Sequence, residues 1–376
     1  MSRPRANPYL TTVSKDYIAQ QFKRDETVSL ARLNSALENI WDFGRNVVVG
    51  WTHGPNSIDL CYCPLDVAIK GYALAPRVFE GERLFGNRAF DSMCERLGMQ
   101  RFRVDTAAAI GGERYTIHAT TINNLVKRYS ITHTRNRAVI LFDIVKFSLL
   151  EPVEQLDIVR VLEYYINKTS KIMADLELPV DLHRSTTGDG YYVWNGNLGP
   201  EHNVRTYIAL VIILVLNAND GFRINLRAAF SIGSHFTYHH VDSVPRGIEY
   251  IVGDVTIRLS RIVNSCLENQ VLTSYFADDK KNTTILDFME ACQAHIDRLQ
   301  RFEIESNVVS VLRTYLTGNR CESGFEVQTY CITDKHGISH IVCNVKINAY
   351  FIGAEPVKIG RTTAELAEFD HLVPAS

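Results

Sequence analysis

The chain has 376 residues, of which 46% are hydrophobic and 22% charged, and a formal net charge of −2. That length suits two or three domains with a sizeable core, and the near-neutral balance gives no ground for expecting nucleic-acid binding. Short basic clusters such as Lys280-Lys281 read as solvated surface. The segment Met1–Pro8 has no apolar run of the signal-peptide kind and is expected to fray. The longest apolar run, Tyr207–Leu216, covers ten residues. A membrane-spanning helix needs about 20, so the run reads as a buried helix. The eight cysteines are scattered; Cys61-Tyr62-Cys63 is too tight for a zinc knuckle, and no second pair follows at ligand spacing. Reduced thiols, no membrane association and a cytoplasmic address are expected.

In chain order, residues 1–130 read as a mixed but mainly helical region. Val28, Leu30, Leu33, Leu37 and Ile40 recur at helical spacing over Glu26–Trp41. Ser57–Cys63 reads as a strand, Ile110-Gly111-Gly112-Glu113 as a break and Ala119–Arg128 as a short connecting helix. No catalytic motif lies here, which leaves regulation or completion of a dimer. From Arg137 the order is clearer. A strand over 137–144 runs into a turn. The helix that follows, over 151–176, has Val153, Leu156, Val159, Leu162, Ile166, Ile172, Met173 and Leu176 on one face. Pro152 sits in its first turn, where a missing N–H costs nothing, and Pro179 lies beyond its end. A hairpin, Asp181–Thr187 with Tyr191–Trp194, turns at Gly188-Asp189-Gly190. A helix over 201–217, a strand over 223–231, a helix opened by Gly253 and ending near Cys266, and a strand over 271–274 complete the series. The order β-α-β-β-α-β predicts an α+β, ferredoxin-like domain, an antiparallel sheet with helices, over residues 131–299. After a helix near 284–300 the texture changes. Beyond Val308–Leu316, Gly324–Ile332 and His340–Ile347 read as strands, with Asp334-Lys335-His336-Gly337 as a hairpin turn, which predicts a small β-rich module over 300–376.

The chemistry lies at two strand ends. The apolar strand from Arg137 delivers Asp143 straight into a turn, and 46 residues later Asp189 sits in a glycine-flanked turn before Tyr191–Trp194. Two carboxylates fixed at the ends of neighbouring strands can hold divalent cations, which phosphoryl transfer needs. Two turn-capping aspartates would look the same, because Asp favours turns for its local hydrogen bonds alone.

Four blocks in register carry a resemblance. Phe142–Ser148, Thr187–Tyr192, Leu226–Gly233 and Gly253–Arg261 resemble, in order and spacing, successive blocks of a class III nucleotidyl cyclase catalytic domain over residues 135–275. The resemblance implies a head-to-tail homodimer with two sites at the interface, each using two Mg²⁺ or Mn²⁺ ions. Asp143 and Asp189 would be the metal ligands, joined by the Ile144 carbonyl. The backbone from Ile144 through Lys146, Phe147 and Ser148 would cradle the triphosphate, and Arg227 would contact phosphate. Arg261, from the opposite protomer, would stabilise charge developing at the α-phosphate.

Three positions depart from the family pattern. Purine cyclases carry a base-reading Lys or Glu four residues before the second metal Asp; here Ser185 stands there. Three residues before the helix-opening glycine, where a purine-reading Asp or Cys is frequent, stands Tyr250. A short hydroxyl and a bulky phenol leave a smaller pocket, so a pyrimidine is expected. The ribose-orienting Asn expected four residues before Arg261 is Ile257, flanked by Thr256 and Arg258, so either the ribose is held differently or the helix register slips by one. The combination resembles the pyrimidine cyclases of bacterial Pycsar antiphage systems, which implies conversion of UTP or CTP to a cyclic monophosphate that triggers an effector. UTP is favoured. The segments around Asp334–Gly337 and Cys343–Val345 resemble the sensor-type C-terminal modules beside some defence cyclases and nucleotidyltransferases. Three alternatives stand. A purine cyclase would read its base with His183 or Arg184; a diguanylate cyclase would need a glycine-glycine-acid-acid-phenylalanine hairpin, from which Thr187–Tyr191 departs; and an inactive nucleotide-binding sensor would signal only through the C-terminal module.

Overall fold

The computed structural model describes residues 8–74, 78–111, 116–240, 248–278, 283–299, 301–304, 307–321, 324–334, 336–368 and 373–374. Most of the segment expected to fray, Gly112-Glu113 and Lys280-Lys281 lie outside the described residues. The chain divides into two compact units, Met1–Thr134 with Phe236–Tyr250, and Arg135–His235 with Ile251–Ser376.

The first unit opens with α1 (Pro8–Ile40), β1 (Asn46–Gly54), β2 (Ser57–Pro64), α2 (Leu65–Leu74), α3 (Asn87–Leu97), β3 (Phe102–Asp105) and α4 (Ala119–Lys127). Its strands form an antiparallel sheet in the order β1-β2-β3, and Gly54 pairs with Ser57 across a two-residue turn. Leu33 and Leu37 of α1 share a core with Val48, Trp51, Ile58, Leu60 and Val126. The apolar run Val47–Trp51 forms β1, an element that periodicity does not separate from a buried helix.

The remaining elements are β4 (Thr132–Ile144), α5 (Pro152–Asp175), β5 (Leu182–Thr186), β6 (Gly190–Asn195), α6 (Pro200–Asn219), β7 (Leu226–His240), β8 (Ile248–Val252), α7 (Asp254–Asn264) and β9 (Val271–Ser274). They continue with β10 (Ala277–Asp278), β11 (Thr283–Thr284), α8 (Ile285–Arg298), β12 (Phe302–Ile304), β13 (Asn307–Leu316), β14 (Gly318–Cys321) and β15 (Gly324–Val327). The chain closes with β16 (Thr329–Thr333), β17 (Ser339–Phe351), β18 (Val357–Ile359), α9 (Thr363–Leu366) and β19 (Val373–Pro374). The main sheet runs β12-β13-β17-β9-β7-β4-β6-β5. Within it β7, β4, β6 and β5 give the ferredoxin-like arrangement: the first strand of the β-α-β-β-α-β series lies between the fourth and the third. β4 and β5 run antiparallel to β6, β9 runs parallel to β7, and β17 runs antiparallel to β9.

Alternation along β4 assigns its two faces. Ala138, Ile140, Phe142 and Ile144 join a core with Leu162, Tyr165 and Ile166 of α5 and Tyr207–Leu216 of α6. Val139 and Leu141 face the other way, into a core with Val255, Leu259, Ile262 and Val263 of α7. Because both faces of β4 are covered, the strand is a continuous apolar run rather than an alternating one. α6 is apolar from Tyr207 to Leu216 and buried without a break from Thr206 to Asn217, as expected of a helix enclosed on every side there. Each fully buried Leu, Ile or Val there contributes roughly 2 kcal/mol of burial energy. Among the described residues no helix is long and apolar enough to cross a membrane. Cys61, Cys63, Cys94, Cys266, Cys292 and Cys343 are free and buried, and Cys331 is free and half-buried.

Candidate active site

Asp143 is the next outward step on the α7-facing row of β4 that begins with Val139 and Leu141. Across the sheet it pairs with Gly190, the first residue of β6, and the Ile144 amide donates to the Asp189 carbonyl at 2.9 Å. The two acidic residues are therefore brought to adjoining strand ends. Local geometry requires the flanking glycines. Gly188 has φ +100°, a conformation few other residues adopt, and a Cβ on Gly190 would lie 1.9 Å from the Phe142 carbonyl oxygen. The turn is tied by Thr187 Oγ1 donating to Asp189 Oδ1 at 3.2 Å and by the Gly188 amide donating to Thr186 Oγ1 at 3.1 Å.

Arg227, expected to contact phosphate, pairs with the first metal-ligand candidate. Its Nε donates to Asp143 Oδ2 at 2.5 Å, and its Nη1 donates to the Cys266 carbonyl at 3.4 Å. Burial raises the Asp143 pKa above the ordinary carboxylate value; Arg227 lowers it and the nearby charge of Asp189 raises it further. After β4 the Val145 amide donates to the Asn225 carbonyl at 2.9 Å. Lys146 then adopts the left-handed conformation, φ 61° and ψ 25°, ahead of a short 3-10 turn over Phe147–Leu149. A non-glycine residue held there is uncommon, and a left-handed residue followed by a right-handed one turns successive amides toward one concavity, a backbone nest suited to anions. Lys146 and Ser148 are exposed and Phe147 is half-buried.

Among the described residues no group of three or more His, Cys, Asp and Glu side chains could hold a metal ion. The expected donor set is smaller: two carboxylates and the Ile144 carbonyl, all hard oxygen. That set fits Mg²⁺ or Mn²⁺ completed by water and phosphate oxygens, and it does not suit a softer metal.

Arg261 lies in the last turn of α7. Its Nε is 3.3 Å from Asp334 Oδ2, in the turn between β16 and β17. One turn earlier, Ile257 is 55% exposed, so the position that would orient a ribose presents a bare hydrocarbon. Thr256 cannot substitute: its hydroxyl is used in capping, donating to the Gly253 carbonyl at 2.8 Å and accepting from the Gly253 amide at 3.1 Å. α7 is continuous from Asp254 to Asn264. Ser185 lies on β5, half-buried and opposite Tyr192. Tyr250 falls in the segment grouped with the first unit, where it stacks on Tyr238 with ring centroids 5.3 Å apart. The alternative purine readers have partners. Arg184 pairs with Glu163 and donates to Asn167 at 3.2 Å, and His183 Nε2 is 3.0 Å from Asp181.

The structure thus brings together Asp143, Ile144, Asp189, Arg227 and the start of the 146–148 turn, and it sets Arg261 against a residue that sequence reasoning left out of the site. Asp334 was legible as a turn residue, since Asp two and three positions before His336 and Gly337 suits an Asx turn. Its partner on α7, distant in sequence, was not.

No protein-family model and no curated protein matches the chain. Nucleotidyl cyclase domains are among the solved structures it is similar to. One is the guanylate cyclase domain of RhGC from Catenaria anguillulae in complex with GTP, at 14% identity and a TM-score of 0.37, covering 57% of this chain and 97% of that one. Another is the guanylyl cyclase Cya2, at 15% identity and a TM-score of 0.31, covering 56% of this chain and 91% of that one. The adenylyl cyclase CyaB from P. aeruginosa gives 14% identity and a TM-score of 0.29, covering 59% and 97%. Likenesses of this size carry no argument about activity, which has to come from the residues.

Proposed function

We propose that the chain is a nucleotidyl cyclase that converts a pyrimidine ribonucleoside triphosphate, UTP before CTP, to the 3′,5′-cyclic monophosphate and pyrophosphate. The observation that carries this reading is the pair Asp143 and Asp189 at adjoining strand ends, next to a left-handed turn at Lys146. Asp143, Asp189 and the Ile144 carbonyl would hold Mg²⁺ or Mn²⁺, two per site, whose charge lowers the pKa of a bound hydroxyl and offsets that of the phosphates. The amides of the Lys146–Ser148 turn orient the triphosphate. Arg227 leaves Asp143 and moves onto phosphate oxygen when substrate arrives. Arg261, supplied by the second protomer of a homodimer, meets the charge that grows at the α-phosphate as the 3′-oxygen attacks.

Ser185 and Tyr250 stand, by the resemblance, where a purine would be read, and neither can offer the long charge or the space that a purine edge requires. The pairing of Arg184 with Glu163 and of His183 with Asp181 supports the pyrimidine reading, since both candidates for a substitute purine reader are already engaged. By the same resemblance the product serves as a second messenger in antiphage defence in the cytoplasm. The exposed Ile257 favours one second reading, an inactive nucleotide-binding sensor.

Purified protein with Mn²⁺ and each of the four ribonucleoside triphosphates separately decides among these. Cyclic product from UTP or CTP alone is expected. Asp143→Ala and Asp189→Ala should each lower the rate on the order of 10³-fold, the loss of several kcal/mol of charge stabilisation. Product from ATP or GTP alone would overturn the pyrimidine assignment, and binding without turnover of any of the four would establish the sensor.

A further inference from the structure

The Arg261–Asp334 pair is built with more care than a surface ion pair. Only 5% of the Asp334 side chain is exposed, against 21% for Arg261. Asp334 Oδ1 accepts from the His336 amide at 2.8 Å and from the Ile338 amide at 3.0 Å. The Asp334 amide donates to the Ile338 carbonyl at 3.0 Å, and the Gly337 amide donates to the Asp334 carbonyl at 2.9 Å. One carboxylate oxygen is thus consumed by the turn's own backbone. The other, Oδ2, faces Arg261 Nε at 3.3 Å and His340 Nε2 at 3.5 Å. Burial works to raise the Asp334 pKa, but the two amides, His340 and Arg261 together hold it down to about 2, so the carboxylate is charged throughout the working range. The guanidinium is planar, and Nε is its atom in the ion pair. Its Nη edge makes no other ion pair or hydrogen bond among the described residues. A fork held at its base presents its two tines in a set direction, and Arg recognises phosphate through that geometry rather than through charge alone.

We infer that Asp334 is a positioning residue for the cyclase reaction: by ion-pairing at Nε from a turn that fixes its own carboxylate, it aims the Nη edge of Arg261 at the α-phosphate, which makes the β16–β17 turn a working part of the catalytic apparatus. The inference rests on the cyclase reading above and deepens it. It also gives the region after residue 300 a task that a sensor role does not supply.

Asp334→Asn in the full-length homodimer is the test. Asn keeps the Oδ1 acceptor, so the turn and the melting temperature should hold, while its Nδ2 turns a donor toward Nε. With Mn²⁺ and the preferred triphosphate, kcat should fall about ten- to a hundredfold, the cost of a misaimed group, with KM within about threefold. In an Arg261→Ala background the same change should move kcat less than about threefold, because nothing remains to aim. Arg261→Lys gives a second route if the Asn variant misfolds. Lysine keeps the charge and has no Nε edge, so its kcat should sit near that of Arg261→Ala. An unchanged or raised kcat in Asp334→Asn, an equal loss in both backgrounds, or near-normal turnover by Arg261→Lys overturns the proposal alone. A wild-type protein that turns over no triphosphate removes the cyclase reading, and this proposal with it.

Discussion

At Asp143, burial pushes a carboxyl toward its neutral form while a guanidinium 2.5 Å away pushes it back. A cation can bind only the ionised form. Affinity is therefore full above the raised pKa and is lost as pH falls through it, which begins above the ordinary carboxylate range. Arg227 has two opposed effects on this equilibrium: it keeps Asp143 ionised, and it competes with the metal for Oδ2. Arg227→Gln should accordingly bind Mn²⁺ severalfold more tightly near pH 8 and lose that affinity at a higher pH than the wild type on acidification, so that the two titration curves cross. Mn²⁺ titrations followed by electron paramagnetic resonance between pH 5 and 8 check this, and superimposable curves would show that the pair does not govern the site. Asp143 and Asp189 were legible in the sequence because each follows or precedes an apolar strand at a turn. The pairing of Asp143 with Arg227 was not, because it arises from the strand order of the sheet rather than from any local spacing.

At the level of elements, the hairpin β5–β6 depends on how closely β6 enters beside β4. A methyl group at position 190 would overlap the Phe142 carbonyl, so one backbone must move. Gly190→Ala should cost roughly 2–4 kcal/mol in a denaturant melt and displace the Asp189 turn. A melt coincident with wild type would mean that the strands pair more loosely than described. Much of this tier could be read in advance. α5, α6, α7 and β9 fall within a few residues of their expected bounds, because amphipathic or wholly apolar runs closed by Pro and Gly leave little choice. β7 extends to His240, well beyond the expected 231, because the residues after Ser231 alternate weakly and only sheet pairing keeps them extended. β1 was missed for the opposite reason: its core-filling run Val47–Trp51 has no period of its own.

The whole molecule poses the question of shared sites. If one protomer supplies Asp143 and the other Arg261, Asp143→Ala and Arg261→Ala each keep only a small residual rate alone. Mixed in equal amounts, they should regain about a quarter of wild-type turnover, since half the dimers then carry one intact site of two. Heterodimers shown to form that stay silent would place both residues in one subunit's site. Sequence conveyed the change of texture after residue 300, but not that Val345 of β17 lies beside Val271 of β9, because register between strands so far apart is set by tertiary packing.

That adjacency has a practical corollary. β17 occupies an interior lane of the sheet, with β13 on one flank and β9 on the other. Deleting everything after α8 would peel away that lane and leave Val271–Ser274 with unmet amides and carbonyls on a raw border, ready to recruit another copy of the chain. A shortened protein that clumps or falls silent would then be reporting a torn sheet rather than a missing receiver.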